Sequence, residues 1–537
     1  MKNIGWFACV VFGLTAGLAV ADSAPSDAHT RRKYIWFSWD TQSCSAEEVL
    51  ANAALFDETP YDGIPLCTMV DDPATGKKVR IDSPLQEPEI TDSMMAPQVE
   101  IYRGITSHRS LKETFVSAFY TPKKRAAWTD DVVWARAARS MGAVARAAKA
   151  GGLRGVFMDV EEYNPPKQFE RATNDPPFEV TAKLARQRGA EVFGALWRNF
   201  PEASVLSCFG LLAADANFDY FGSPDPFDAT RQKNDLWPHF FNGMLDVMPA
   251  GVKLIDGTEM AYEFKQSREE YAKSALCVKT RALGLVFPEN RAKYAAAISA
   301  SFGFFMDAYV RPNEQDRYWY GPLNGSRLGT FDDNLAGATF WCDEYVWLYA
   351  ASQRMTGIKW KNIKGGFGNW TTVEERLPGY LDVLWANKDP LTFFRKRCQQ
   401  MSAAGALTNL CTKALGDILV PTKEDPNRFF GIVDFPGARA GEWFGFRFKA
   451  KGEVQSIVRW GEKGLKRRPM GASICPAATP MGDPDVDGWR EAVGVVRIPN
   501  DRQSPIVVLK VNRTEIKDSE ICDFAMYRLM SHWEPRN

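Results

Sequence analysis

Histidine is scarce in this sequence, which contains four histidines in 537 residues, two of them near the termini (His29 and His532). Ser-His-Asp triads and His-rich metal sites need imidazoles close to one another, so little material is present for either mechanism. No Cys-x-x-Cys or Cys/His spacing typical of zinc sites occurs either. Any catalytic site in this chain must therefore be built mainly from other side chains.

The sequence also lacks an excess of charge and, after residue 21, a long apolar run. Its 66 basic and 66 acidic residues cancel, which indicates neither a nucleic-acid partner nor an anionic membrane surface. The first 21 residues are typical of a secretory signal, with Lys2, an apolar stretch over 6–20 and small residues at 19–21. No later segment is long and apolar enough to cross a bilayer. We therefore expect a secreted or periplasmic protein that begins near Asp22.

Ten cysteines are present, and all but Cys9 follow the signal segment. An oxidising compartment permits disulfides between them. Cys398 with Cys411, which are close in sequence, and Cys475 with Cys522, which both lie in the last segment, are plausible pairs, and the sequence leaves the connectivity open. The odd number remaining after cleavage leaves at least one thiol without a disulfide partner in the chain.

Apolar runs alternate with helical stretches through the first three-quarters of the chain, which is typical of repeated βα units around a parallel sheet. We predict eight strands, at 34–39, 63–68, 114–120, 155–161, 204–211, 252–256, 302–307 and 337–343. Helices are expected at 45–56, 130–150 and 179–199, and a long polar insertion at 69–110. Eight such units predict an α/β fold, a (β/α)8 TIM barrel over residues 30–415, with a helical extension at 372–415.

The pattern changes after a polar, proline-bearing linker at 420–427. Short alternating strands follow, and they predict an all-β sandwich of jelly-roll type over residues 428–537. Trp443, Trp460 and Trp489 are candidates for a carbohydrate-binding face of this domain, although at least one of them is expected in the core.

The fourth predicted strand ends abruptly in carboxylates. Side chains alternate faces along a strand, so Phe157, Asp159 and Glu161 share one face. Active sites of parallel barrels lie at this carboxyl end, and two neighbouring acids suit glycosidic bond cleavage because one can stay protonated while the other is ionised. The alternative is that these acids cap the next helix or pair with Arg154.

Two further predicted strands also end in acids. The sixth leads into Glu259, a candidate for the opposing carboxylate, with Tyr262 positioned to hold it or the substrate. A turn acid beside Gly257 is the competing interpretation of Glu259. The seventh ends in Asp307, a candidate substrate-binding residue.

The eighth predicted strand places Trp341 and Asp343 on one face, with Glu344 just beyond. An indole at a barrel tip can form the apolar floor under a sugar ring, so we expect these three residues to bind substrate, while the alternative for Trp341 is core packing. The loop at 317–322 presents three consecutive aromatics, which cannot all enter one core, and Trp319 is its candidate ligand contact.

A turn near the C-terminus carries Asp483, Asp485 and Asp487, with the alternating oxygens of a calcium loop. The twelfth position is Gly494 rather than Glu, and no helices flank the turn. We therefore favour an acidic surface turn over calcium, and expect no cofactor.

Several features together resemble secreted bacterial glycoside hydrolases with a TIM barrel and a C-terminal β-sandwich. Asp159-Val160-Glu161 is similar to the end of the signature of chitinase-like and endo-N-acetylglucosaminidase-like enzymes, and Phe340-Trp341 resembles their final-strand Trp. In that family the Glu is the acid and the preceding Asp orients an N-acetyl group. The earlier acids of the signature are replaced here by Arg154 and Phe157.

These observations favour a hydrolase of O-glycosidic bonds in a poly- or oligosaccharide. Glu161 is the expected general acid, Asp159 tunes or orients it, Glu259 is base or nucleophile, and Trp341 is a sugar platform. A second hypothesis is a non-catalytic carbohydrate-binding or scaffold protein on a degenerate barrel. A third is a metal-dependent deacetylase or phosphodiesterase, against which the scarcity of histidine argues.

Overall fold

The computed structural model describes residues 32–122, 124–163, 165–211, 225–264, 268–323, 325–355, 357–358, 371–412, 417, 419–421, 423, 428–451, 454–462, 479–498, 502–512 and 520–532. The predicted signal segment, Cys475 and most of the predicted linker lie outside these residues. Among the described residues, no helix is both long and apolar enough to span a membrane.

The part of the chain up to residue 350 contains the parallel strands. Its strands are β1 (Lys33–Ser38), β2 (Pro65–Leu66), β3 (Met69–Asp71), β4 (Lys78–Arg80), β5 (Phe115–Tyr120), β6 (Gly155–Asp159), β7 (Ser204–Ser207), β8 (Leu254–Asp256), β9 (Ile298–Ala300), β10 (Phe302–Phe305) and β11 (Tyr345–Ala350). One parallel sheet has the order β2-β5-β6-β7-β8-β9 and a second the order β1-β11-β10, while β3 and β4 form an antiparallel hairpin.

The two parallel sheets are linked at two points of the chain. Ile35 of β1 forms a parallel bridge with Gly63, just before β2, and the Trp36 N–H donates to the Gly63 carbonyl over 3.0 Å. At the other junction only Ser301 separates β9, which pairs with β8, from β10, which pairs with β11. The arrangement is TIM-barrel-like, and the carboxyl ends of its strands lie at one end.

Helices connect these strands and continue beyond them. They are α1 (Trp39–Ser43), α2 (Ala46–Ala51), α3 (Ala53–Phe56), α4 (Asp92–Ser107), α5 (Asp131–Ala150), α6 (Phe178–Asn199), α7 (Pro226–Gln232), α8 (Trp237–Val247), α9 (Arg268–Lys279), α10 (Arg291–Ala297), α11 (Arg327–Trp341), α12 (Val373–Arg376), α13 (Tyr380–Lys388) and α14 (Pro390–Ala403). Short 3-10 helices lie at Arg109–Leu111, Glu259–Glu263, Arg281–Leu285, Pro288–Asn290 and Met306–Tyr309. The predicted polar insertion at 69–110 thus contains α4, which the sequence analysis missed.

The prediction of the eighth strand is wrong. Residues 337–341 are the last turns of α11, and the strand follows it as β11. Phe331, Leu335 and Ala338 are buried at helical spacing, so the apolar run has the period of a helix rather than of a strand. The first seven predicted strands overlap observed ones.

The C-terminal domain consists of antiparallel strands: β12 (Leu419–Pro421), β13 (Arg428–Asp434), β14 (Trp443–Lys451), β15 (Val454–Glu462), β16 (Thr479–Met481), β17 (Trp489–Arg497), β18 (Arg502–Asn512) and β19 (Glu520–Met530). They form two four-stranded sheets, in the orders β12-β13-β18-β15 and β16-β17-β14-β19. Both sheets contribute to one buried cluster, which contains Phe444, Phe446 and Phe448 of β14 and Val458 of β15. The alternation of these phenylalanines turns them to the same, inner face.

A buried carboxylate joins this domain to the α/β region. Asp332 of α11 is fully buried and accepts hydrogen bonds from Arg497 Nε (2.8 Å), His532 Nε2 (3.1 Å) and Trp443 Nε1 (3.0 Å), all from the C-terminal domain. Asn387 Nδ2 donates to its second oxygen over 2.8 Å. Trp443 is therefore an interface residue and not part of a carbohydrate-binding face. The Trp460 side chain lies outside the described residues, and Trp489 is half-buried.

The disulfide expected between Cys398 and Cys411 is absent, since Cys398 is a free cysteine. Cys522 is also free, and its expected partner Cys475 lies outside the described residues.

Candidate active site

The end of β6 fixes two carboxylates relative to each other. Asp159 is the last residue of the strand, and its Oδ1 accepts a 3.0 Å hydrogen bond from the backbone N–H of Glu161. Thr121, which follows β5, donates its hydroxyl to the Glu161 carbonyl over 2.8 Å. The next acid, Glu162, accepts hydrogen bonds from the backbone N–H groups of Gln168 and Phe169, so it holds the following loop.

A tight turn after β8 carries the third carboxylate. Asp256 ends the strand and its Oδ1 accepts from the Thr258 N–H over 3.0 Å. Thr258 has the left-handed φ of 41°, which reverses the chain before the 3-10 helix that begins at Glu259. The Glu259 N–H donates to the Cys208 carbonyl, just beyond β7, over 3.2 Å. The turn therefore directs Glu259 towards the strands that carry the other acids.

Burial raises the pKa of each of the three carboxyl groups, and neighbouring acids add to the effect at Asp159 and Glu259. Burial, followed by the charges of Glu161 and Asp159, raises the pKa of Glu259 to about 9. Burial also raises the pKa of Asp159 to about 7, with a further contribution from Glu161, and it raises the pKa of Glu161. Neighbouring buried carboxyls cannot all be ionised near neutral pH, because their charges repel. The cluster of three carboxyls therefore retains a proton at that pH. The structure thus brings together Asp159, Glu161 and Glu259, as the sequence analysis expected.

Tyrosines surround these acids. Tyr262 is buried, and its ring stacks on Tyr349 of β11 with centroids 6.1 Å apart. Gly303 makes room for this packing, because a Cβ there would lie 3.0 Å from the Tyr262 ring and 2.6 Å from Trp347. The Glu259 charge, after burial, raises the pKa of Tyr262 and also contributes at Tyr349. Tyr349 is a site residue that the sequence analysis missed, because it assigned the eighth strand to the wrong segment.

Two exposed aromatic side chains lie at the rim. Trp39 follows β1 directly, is 43% exposed, and makes an edge contact with the Tyr349 ring at 6.5 Å. Tyr163 is 77% exposed and donates its hydroxyl to Glu161 Oε2. The sequence analysis did not select Trp39 as a site residue, although its position at the end of the first strand indicates one.

Asp307 and Trp319, two of the predicted substrate contacts, both make contacts within the protein. Asp307 is buried, and its Oδ2 accepts a hydrogen bond from the Ala351 N–H over 2.7 Å. The Trp319 ring packs against Gly321 and under the guanidinium of Arg327 at 5.6 Å. Burial raises the pKa of the neighbouring Tyr318 against the opposing charge of Arg317, and Glu263, Glu259 and Glu161 contribute in the same direction as burial.

Trp341, Asp343 and Glu344 do not belong to this site. They precede β11, so they lie at the opposite, amino end of the strands. Asp343 pairs with Lys279 at 2.5 Å, and Glu344 pairs with Lys33 at 2.8 Å and with Lys253. Trp341 is 41% exposed and ends a helix. The prediction that it forms the floor under a sugar ring at a strand tip is therefore wrong. The final strand does carry a tryptophan, Trp347, which is buried and donates to the Gly257 carbonyl over 2.7 Å.

No group of three or more His, Cys, Asp and Glu side chains among the described residues is arranged to hold a metal ion. In the turn at 483–487, Asp485 Oδ1 accepts the N–H groups of Asp487 and Trp489 at 3.0 and 2.9 Å. Asp483, Asp485 and Asp487 are exposed, so the described geometry is that of an acidic surface turn.

No family model matches this chain, and no curated protein matches its sequence. Among solved structures, the catalytic domain of a hyperthermophilic chitinase from Pyrococcus furiosus is similar with a TM-score of 0.36 and 10% identity, over 70% of this chain and 96% of that chain. A GH10 xylanase from Thermobacillus composti gives 0.34 and 11%, over 68% and 100%. A D-psicose 3-epimerase gives 0.31 and 8%, over 67% and 98%. Similarities at this level assign neither a family nor an activity.

Proposed function

We propose that this chain is a glycoside hydrolase that cleaves O-glycosidic bonds of a poly- or oligosaccharide on a closed (β/α)8 barrel. The observation that carries the proposal is the grouping of Asp159, Glu161 and Glu259 at the carboxyl ends of two strands. After burial, the charges of Glu161 and Asp159 raise the pKa of Glu259, and the charge of Glu161 contributes to raising that of Asp159. Cleavage of a glycosidic bond needs one carboxylic acid that holds its proton and one carboxylate that is ionised.

The environments of the acids support a division of roles. Glu259 retains its proton most firmly, so it is the proposed general acid. Glu161 accepts a hydrogen bond from the Tyr163 hydroxyl, which favours the ionised form of Glu161. An ionised carboxylate is suited to the role of base or nucleophile. Asp159, fixed by the Glu161 N–H, orients that residue. These roles of the two glutamates are the reverse of those expected from the sequence alone.

The aromatic rim supports a sugar as the substrate. Trp39 exposes part of its indole beside Tyr349, and the C–H face of a pyranose packs well on such a ring. Trp39 therefore takes the platform role that the sequence analysis gave to Trp341. We propose further that the protein is exported through its N-terminal signal and that residues 428–537 form an accessory sandwich of jelly-roll type.

Reducing-end release from a panel of polysaccharides and mucin-type glycans tests this function. We expect release by the wild type and by Glu58→Gln, an exposed acid that serves as the control, and loss of release in Glu161→Gln. Glycan binding without release by the wild type supports the carbohydrate-binding alternative instead. Release that a chelator abolishes supports a metal-dependent hydrolase.

A further inference from the structure

A cavity of about 700 Å³ opens at the amino ends of the parallel strands, opposite the end that carries the candidate catalytic acids. It lies where β1, β8, β9 and β11 begin and where α9 and α10 end. Its polar wall is formed by Lys33, Lys253, Lys279, Ser299, Asp343 and Glu344. The alanines at 295–297 and Ile298 form an apolar side. A cavity of this size is in the range that holds a small molecule.

The two acids of this cavity are already engaged as acceptors by the protein. Glu344 Oε1 lies 2.8 Å from Lys33 Nζ, and Glu344 Oε2 accepts a hydrogen bond from Lys253 Nζ. Asp343 Oδ1 accepts from Lys279 Nζ over 2.5 Å, and its Oδ2 accepts from a backbone N–H of β9 over 2.7 Å. Each of the four carboxylate oxygens therefore has a donor from the protein.

Hydrogen-bond donors, in contrast, are in excess in the cavity. A lysine ammonium has three N–H donors, and the described residues give Lys253 and Lys279 one side-chain acceptor each. Ser299 lines the cavity and is 6% exposed, and its hydroxyl has no hydrogen-bond partner among the described residues. A buried hydroxyl without a partner costs free energy, which a ligand that accepts its hydrogen bond recovers.

The charges of the wall are also unbalanced. Three lysines and two carboxylates line the cavity. Glu113, the second acid bound by Lys33, lies outside the lining and is itself paired with Arg154 at 3.4 Å. One positive charge thus lacks a counterion among the residues that line the cavity. The Lys253 and Lys279 side chains are each 43% exposed, so a ligand can reach both of them.

We propose that this cavity is a second binding site, which takes an oxyanion group held by Lys253, Lys279 and the Ser299 hydroxyl. The group belongs to a free inorganic anion or to an acidic molecule of monosaccharide size, whose uncharged part lies along the apolar side at 295–298. The alternative is a purely structural network of ion pairs, which requires neither a surplus lysine nor an unpartnered buried hydroxyl. The proposed site is separate from the candidate active site.

Isothermal titration calorimetry of the full chain at low ionic strength tests the proposal, with inorganic phosphate and glucuronate as the ligands. We expect at least one of these anions to bind. Tighter binding of glucuronate than of phosphate identifies the acidic group of a sugar, and the reverse order identifies a free anion. Absence of binding of both anions to the wild type overturns the proposal.

Substitutions in the wall should change the affinity in opposite directions. Lys279→Gln removes a charged donor and should weaken binding about 10-fold or more, and Ser299→Ala should weaken it less. Asp343→Asn keeps an oxygen for the backbone N–H of β9 but removes a negative charge and releases Lys279, so it should tighten binding. Lys149→Gln is the matched control, because Lys149 has a similar exposure of 45% and is also paired with an acid, Glu202, but does not line the cavity.

An unchanged affinity in a folded Lys279→Gln variant overturns the proposal, because the anion then binds elsewhere on the protein. An equal loss in Lys149→Gln also overturns it, because the attraction is then one of general charge. Glu259→Gln should bind the anion like the wild type, since Glu259 lies at the other end of the strands. Glycan release plays no part in this measurement, so its result is independent of the proposed function.

Discussion

The backbone N–H of Glu161 donates a 3.0 Å hydrogen bond to Oδ1 of Asp159, so the orientation of one acid depends on the side chain of the other. Asp159→Asn keeps an oxygen acceptor for this N–H but removes the charge. Asp159→Ala removes both. We expect turnover to fall by about 10² in Asp159→Asn and further in Asp159→Ala, as measured by initial rates of glycan release. Equal activity of the wild type and Asp159→Ala would show that the hydrogen-bonded pair of Asp159 and Glu161 has no role in catalysis.

The raised pKa values predict how stability depends on pH. Folding raises the pKa of Glu259 from 4.5 to about 9 and that of Asp159 from 3.8 to about 7. The folded state thus binds protons more tightly than the unfolded state, so this contribution to stability is complete below about pH 4 and is lost as the pH rises towards 9. Glu259→Gln should therefore be more stable than the wild type at pH 9. The urea concentration at its unfolding midpoint should also change less with pH than that of the wild type.

Urea unfolding at pH 5, 7 and 9 measures this effect, with Glu58→Gln, an exposed acid, as the control. The control should follow the wild-type curve across the range. A Glu259→Gln curve parallel to the wild type would mean that Glu259 ionises normally in the folded protein.

Two tryptophans of similar exposure lie at opposite ends of the parallel strands, Trp39 at 43% and Trp341 at 41%. Trp39 lies beside Tyr349 at the carboxyl end, and Trp341 ends a helix at the amino end. Trp39→Ala should raise KM at least about 5-fold, because stacking on an aromatic ring contributes about 1 kcal/mol or more. Trp341→Ala should leave KM unchanged. Similar KM values in both variants would remove the sugar-platform role from Trp39.

Asp332 accepts hydrogen bonds from Arg497, His532 and Trp443 across the domain boundary, and it is fully buried. Asp332→Ala leaves these donors without their acceptor, and removing one partner of a buried ion pair costs about 3–5 kcal/mol. We expect a clear fall in the midpoint of thermal unfolding and greater susceptibility of the C-terminal domain to proteolysis. Asp483→Ala, at an exposed turn, should change neither.

Much of the α/β pattern was accessible from the sequence, because buried parallel strands are continuous apolar runs. The run at 337–343 was misassigned because it too is apolar and short, and only the helical spacing of Phe331, Leu335 and Ala338 distinguishes it. Helix α4 was missed because its buried face lies in a segment of largely polar composition.

The acids of the site were predictable, whereas their surroundings were not. Asp159 ends an apolar strand, and Glu161 and Glu259 follow apolar strands, which is a local signal. Cys208 and Tyr349 reach the site only through the pairing of strands distant in sequence, which a single sequence does not specify. The order in which the acids lose their protons depends on burial, and burial is a property of the fold.

The most direct test of the account compares the wild type with Glu259→Gln on two substrates of the same sugar, a natural glycan and an aryl glycoside with a good leaving group. A general-acid variant should lose release from the glycan by about 10² or more, but retain much of its activity on the aryl glycoside, whose leaving group needs no proton. Release from the glycan at the wild-type rate by a folded Glu259→Gln would contradict the central claim that these carboxylates form a catalytic site.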